Sequence, residues 1–197
     1  EPPEFATIFL LAESAGELLP TIRSRCMVLS LHCLSLAEIE EYLARHRPEW
    51  KAQQRALVAR LSEGAVGRAR SFDLETYSGV RQQALTLLKT ALRTGDHSDL
   101  FKITETYRAG AEGREKLDLL LHCLYSLLQD LLFLDSKSPE LVRNTDIRAE
   151  LDKLSPSADF EWLSNAADKL AEVERGRRRN LLRSLSLDAF EAALEKS

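Results

Sequence analysis

The residues with the clearest capacity for chemistry are Ser24-Arg25-Cys26, which follow directly on Leu18-Leu19-Pro20-Thr21-Ile22-Arg23. A guanidinium stays charged at any working pH, and its planar fork fits the oxygens of a phosphate, so Arg25 can hold or polarise such a group. The same charges have a local use: Arg23 and Arg25 would favour the C-terminal end of a short helix through its dipole. Other reactive types are scattered. His32, His46, His97 and His122 fall on separate elements with no Cys or carboxylate at ligand spacing. Cys26, Cys33 and Cys123 match no zinc or redox pattern, so no metal site is expected and a reducing cytosol suits them. The sequence lacks a G-x-x-x-x-G-K-[ST] loop, an apolar run ending in paired acids to hold magnesium, H-E-x-x-H and G-x-S-x-G. No active site intrinsic to this chain is expected.

The elements that must position Arg25 can be read from hydrophobic period and turn chemistry. Phe5 to Ala12 is a short apolar run after a Pro pair, the pattern of a strand buried on both faces of a parallel sheet, and Met27 to Leu31 is similar. Pro20 between them suits the first turn of a short helix. Two such strands alone would leave backbone donors and acceptors unpaired at their edges, so more sheet is expected than these residues supply, and pairing with a second copy is open. From Ser35 the period becomes helical. Ser35 and Glu38 have capping-box spacing, Leu34 can staple onto Ile39, and Leu36, Ile39, Leu43 and His46 share a face. Pro48 separates a second helix whose inward face is Trp50, Leu57, Val58 and Leu61, with Gly64 where a left-handed cap belongs. A third short helix turns Val66, Ala69 and Phe72 inward.

Beyond Asp73 longer helices are expected. Tyr77, Val80, Ala84, Leu87, Leu88 and Ala91 line one face, stopping near Gly95-Asp96, and a shorter helix spans about Ser98 to Tyr107. The most apolar window, Leu117 to Leu134, carries Asp118, His122, Gln129 and Asp130, which suit a core helix better than a lipid-facing one. A short helix around Ile147 to Leu154, another through Phe160, Leu163, Ala167, Leu170 and Val173, and a last one with Leu181, Leu182, Leu185, Phe190 and Leu194 complete a five- or six-helix bundle.

The chain has 197 residues, 8 Gly and 6 Pro, with 27 basic against 31 acidic residues for a net charge of −4. That length can bury a sizeable core without staples, and the scarcity of Gly and Pro argues against disorder or an all-β sandwich. Neither half carries a basic excess, which argues against a general nucleic-acid binder. The absence of Met at Glu1 and the linker-like Glu1 to Glu4 suggest a piece of a longer polypeptide.

The ordered run from Phe5 to Leu31, with its Leu-Pro-x-Thr-Ile helix and Ser-Arg-Cys, resembles the end of the ATPase core in the AAA+ clamp-loader family of bacterial replication. The resemblance implies that the first strand ends at the sensor-1 position and that Arg25, between Ser24 and Cys26, is an arginine finger for the ATP-Mg of the adjacent subunit. It further implies a mainly α fold: a remnant of the core (1–31), a three-helix lid (32–74) and a helical collar (75–197) for oligomerisation. Departures from the motor pattern point to a non-hydrolysing subunit. Glu13 and Ser14 stand at sensor 1 where motors carry a Thr or Asn pair. Gly67 stands at the sensor-2 arginine position of Gly64-Ala65-Val66-Gly67-Arg68-Ala69, with Arg68 one residue later and about 100° around the helix. The implied partners are the gamma/tau and delta clamp-loader subunits, and the sliding clamp and primed DNA through the assembled complex. A gamma- or tau-type motor fragment is the first alternative.

Two features keep a helical nucleic-acid-binding module open as another alternative. Arg175, Arg177, Arg178, Arg179 and Arg183 cluster near Gly176 and could meet DNA phosphate or an acidic partner, although Glu172, Glu174 and Asp188 beside them suit a solvated turn. Gly64-x-x-Gly67 is similar to the GXXG loop of KH domains, but helices rather than strands are expected around it.

Overall fold

A computed structural model describes residues 3, 5–92 and 110–178, with side chains from 115 to 175 in the last stretch. The chain divides into two compact units, Glu1–Cys33 and Leu34–Ser197. Eight α-helices and no strand occur among the described residues. The expected helices near Ser98 to Tyr107 and through Leu181 to Leu194 lie outside them.

The first unit holds a 3-10 turn at Ala15–Glu17 and one short helix, α1 (Pro20–Arg23). Pro20 occupies the first helical turn, where its missing N–H costs nothing. The two expected strands are not formed: Phe5 to Ala12 and Met27 to Leu31 have no ladder partner among the described residues. Nor are these runs buried, since Phe9 is 83% exposed and Leu29 81%. The apolar pattern suits a strand, but a strand exists only where a neighbour accepts and donates its backbone hydrogen bonds.

The second unit begins with three short helices, α2 (Leu36–His46), α3 (Ala52–Leu61) and α4 (Val66–Arg70). The capping box at the start of α2 is formed: the Ser35 backbone N–H donates to Glu38 Oε2 at 2.8 Å, and the Glu38 N–H donates to Ser35 Oγ at 3.3 Å. Ile39 and Leu43 are buried with Val58, Ala59 and Ala69 in one apolar cluster, whereas Leu36 and His46, expected on the same face, are exposed. After α3 the chain reverses through Glu63 (φ 54°) and Gly64 (φ 79°), the left-handed geometry anticipated at Gly64.

The larger core surrounds α5 (Leu74–Ala91), α6 (Gly110–Asp135), α7 (Arg148–Leu154) and α8 (Phe160–Arg178), with α6 packed against α5, α7 and α8. Asp73 caps α5 by accepting from the N–H groups of Glu75 and Thr76, each at 3.1 Å. Along α6, Leu117, Leu120, Leu121, Leu124, Leu127, Leu128 and Leu131 recur at spacings of three and four and are buried. Each such leucine contributes about 1.5–3 kcal/mol relative to exposure. Residues 115–135 are long and apolar enough to cross a membrane by composition, but 56% of that stretch is buried inside the protein, as expected of a core helix. Lys137 (φ 58°) ends α6, with the Ser138 N–H donating back to the Phe133 carbonyl at 2.8 Å. On α8, Leu163, Leu170 and Val173 are buried with Trp162, while Phe160, expected inward, is 65% exposed.

Candidate functional site

Arg25 leaves the fold on a tight turn. The Ile22 and Arg23 N–H groups donate to the Leu19 carbonyl at 2.9 and 3.0 Å, and Ser24 N–H to Pro20 at 3.0 Å. Ser24 Oγ donates to the Thr21 carbonyl at 3.3 Å, Arg25 N–H to Ile22 at 3.0 Å and Cys26 N–H to Arg23 at 3.3 Å. The backbone of Ser24-Arg25-Cys26 is therefore fixed while the three side chains are exposed. No carboxylate pairs with Arg25 among the described residues. Its guanidinium remains available to an outside anion, and the one-turn helix before it carries only a small dipole to offset.

Glu13 and Ser14 are also exposed in the first unit. Ser14 Oγ accepts from the Gly16 N–H at 3.1 Å, capping the 3-10 turn. Gly67 and Arg68 belong to the second unit, on α4. A Cβ added to Gly67 would meet nothing within 4 Å, so packing does not demand glycine there. Arg68 donates to Glu63 Oε2 at 3.3 Å, and the other oxygen of Glu63 pairs with Arg143. Of the remaining sequence candidates, Arg175 is exposed, and the Arg177, Arg178, Arg179 and Arg183 side chains and His97 lie outside the described residues. His32 is exposed, and His46 stacks on Tyr42 with ring centroids 4.1 Å apart. No metal-ligand cluster occurs among the described residues searched.

A buried polar network escaped the sequence reading. Asp130 and Asn144 are both fully buried. Asp130 accepts from the Arg143 N–H at 2.8 Å, the Asn144 N–H at 2.9 Å and Asn144 Nδ2 at 2.7 Å. Asn144 Nδ2 also donates to Ser126 Oγ at 3.0 Å, while its Oδ1 accepts from Tyr77 at 3.1 Å and Arg81 at 3.0 Å. Arg81, 4% exposed, reaches Asp146 through both of its terminal nitrogens. The network ties the irregular 136–147 segment to α5 and α6. In the sequence Asp130 reads only as an interruption of an apolar run, and nothing there joins Arg81 to Asn144 and Asp146, which lie more than 60 residues away. Burial drives the Tyr77 hydroxyl well above its ordinary value, which keeps it a neutral donor.

Beside this network lies an open cleft of about 340 Å³ lined by Arg68, Ser71, Phe72, Asp73, Thr76, Tyr77, Leu119 and His122. Burial, followed by the positive charge of Arg68, lowers the His122 pKa, with Glu63 acting the other way and Arg143 adding to the decrease. Its neighbour Cys123 faces the core, where burial pushes the thiol up to about 12.

Residues 1–35 match the family described as DNA polymerase III, delta subunit. No curated protein and no solved structure matches the chain. The matched segment contains Arg25 and its turn, and it supports a clamp-loader type of DNA polymerase III family.

Proposed function

We propose that this chain is part of a delta-prime-type clamp-loader subunit of a bacterial DNA polymerase III. In this reading residues 1–31 end an ATPase core, 32–74 form its lid and 75–197 its collar. Arg25 is given in trans to the ATP-Mg of an adjacent gamma or tau subunit, while delta completes the ring that opens the sliding clamp and places it on primed DNA. The work is regulatory and mechanical, in the cytoplasm, with no hydrolysis in this chain.

The observation that carries the reading is the exposed guanidinium of Arg25, with no carboxylate partner among the described residues, on a fixed turn within the matched segment. A finger supplied from outside stabilises charge on the transferring phosphoryl group only once subunits have assembled, so hydrolysis becomes conditional on assembly. Glu13 at the sensor-1 position would bring negative charge toward a phosphate, and Gly67 offers no cation, so both departures fit a subunit that assists rather than hydrolyses.

The test is Arg25→Ala in the whole protein within a reconstituted loader. ATPase turnover should fall by about an order of magnitude or more, as for removal of other arginine fingers, with assembly by gel filtration unchanged. Arg25→Lys should restore little, because an ammonium lacks the planar fork. Turnover unaffected by Arg25→Ala would remove the role.

A further inference from the structure

We propose that the corner where α2 meets α3 is a binding surface for single-stranded nucleic acid, holding phosphates by charge and bases by stacking. This inference is independent of the arginine-finger reading, since every residue in it belongs to the second unit.

Two planar groups are fixed at this corner. Tyr42 packs against the apolar cluster of α2–α4, and the exposed His46 ring stacks on it with centroids 4.1 Å apart and 17° between the planes. One face of the imidazole rests on Tyr42, so the exposure of the ring belongs to the other. His46 Nδ1 lies 2.9 Å from the Tyr42 carbonyl, which fixes the ring. Trp50 packs against the same cluster, and the Arg47 guanidinium lies over its ring, 3.9 Å from the centroid. Arg47 Nε donates to Glu49 at 2.6 Å and Nη1 to the Arg70 carbonyl at 3.2 Å, while the side chain stays 31% exposed. Imidazole and guanidinium planes are both surfaces on which an unpaired base stacks, and here they come from adjacent residues already in position.

The local charge is positive. Residues 41–55 hold Arg45, Arg47, Lys51 and Arg55 against Glu41 and Glu49. Arg55 donates to the Trp50 carbonyl, which keeps it at the same corner. Arg70 ends α4, a helix without an acid, and its backbone meets Arg47, so the balance is five cations to two carboxylates. Both carboxylates are paired, Glu41 with Arg45 and Glu49 with Arg47, in exposed ion pairs that are worth little and exchange readily for phosphate. Lys51, Arg55 and Arg70 have no carboxylate partner among the described residues. Of the other acids on α2, Glu38 bonds back to Ser35 and Glu40 lies more than a turn before His46. The attraction is local, because at physiological salt charges beyond about 8 Å are screened, so a chain of net charge −4 can carry it. Charge alone would accept any polyanion; the planes select one with free bases. A duplex keeps its bases stacked on one another and offers only their edges and its phosphates, and an acidic peptide carries no ring to stack.

The experiment uses the 197-residue chain and a fluorescein-labelled thymidine oligonucleotide, read by anisotropy, with an abasic strand of the same length and charge, the matching duplex and poly-L-glutamate as comparison ligands. The base-bearing strand should bind about fivefold or more tightly than the abasic one. His46→Ala should remove about that factor from the base-bearing strand and leave the abasic strand unchanged. Lys51→Gln should reduce the slope of log affinity against log salt by about 0.7, the loss of one phosphate contact. In NMR titrations the Trp50 indole N–H should shift, while that of Trp162, buried in the bundle core, should not. The ligand comparison needs no variant, and both substituted side chains are exposed. Equal binding of the abasic strand, the duplex or poly-L-glutamate, an unmoved Trp50 signal, or binding unchanged by His46→Ala, as it would be if the arginines near Gly176 held the strand, would each overturn the proposal.

Discussion

The two units differ in what makes them readable and in what holds them. Glu1–Cys33 lies within the segment that matches a family, yet its large apolar side chains stand in solvent and the one α-helix among its described residues is a single turn long. Leu34–Ser197 lies outside that match beyond Ser35, yet it encloses a continuous leucine core and a satisfied buried polar network. The family match is concentrated in the first and cohesion in the second. A local motif can thus identify a segment whose own structure is weakly supported, because a turn such as Pro20–Cys26 needs only neighbouring backbone groups, whereas a core needs distant ones.

The largest expected effects belong to the second unit. Leu124→Ala should lower unfolding free energy in urea by about 2–5 kcal/mol, through lost burial and the cavity left behind. Asp130→Ala should cost about 3 kcal/mol or more, since it strands two backbone N–H groups and one amide of Asn144 away from water. A substitution at Asp130 that left urea stability unchanged would break the contrast by making the network ornamental.

A chemical probe sharpens the same contrast. Cys26 and Cys33 are exposed and Cys123 is buried with its thiol pushed up to about 12. An aromatic disulfide reagent at pH 8 should therefore modify two thiols quickly, with the third following the rate of unfolding. Rapid reaction of all three would mean that the α6 core opens as easily as the first unit.

A smaller effect is expected from pH. Because burial and then Arg68 lower the His122 pKa, the folded chain prefers the neutral ring. The unfolded chain binds the proton first, so the contribution is present above the ordinary histidine value of about 6.5 and is lost as pH falls from there through the folded value. His122→Gln should flatten that limb of the stability profile; an unchanged slope would place its cause elsewhere. The smallest effect belongs to the first unit: Phe9→Ser should alter the chain's stability by less than about 0.5 kcal/mol, since the ring is 83% exposed. A larger loss would show that the apolar run is covered in solution.

Legibility followed interaction range. Ser35 and Glu38 announced α2 because a capping box joins residues three apart, and Gly64 announced its turn because positive φ favours glycine. The same rule explains two failures. His46 fitted the α2 stripe by spacing but stacks on Tyr42 at the surface, and Phe160 fitted the α8 period but sits at its first turn, beyond the core. Trp162 took the inward place instead. Of the candidate site, Arg25 and its turn were legible, while the cleft at His122 was not, since its lining comes from three helices separated along the chain.

By itself the sequence determined the helical character of the chain, the positions of caps and turns, the leucine face of α6 and the turn that presents Arg25, all of which depend on residues within a few positions of one another. Only the tertiary structure decided that Phe5 to Ala12 forms no strand, that Arg81 and Asn144 meet across α5 and the 136–147 segment, and that Arg68 stands beside His122. Those outcomes depend on which distant backbone and side-chain groups become neighbours, and neither residue type nor period encodes that choice.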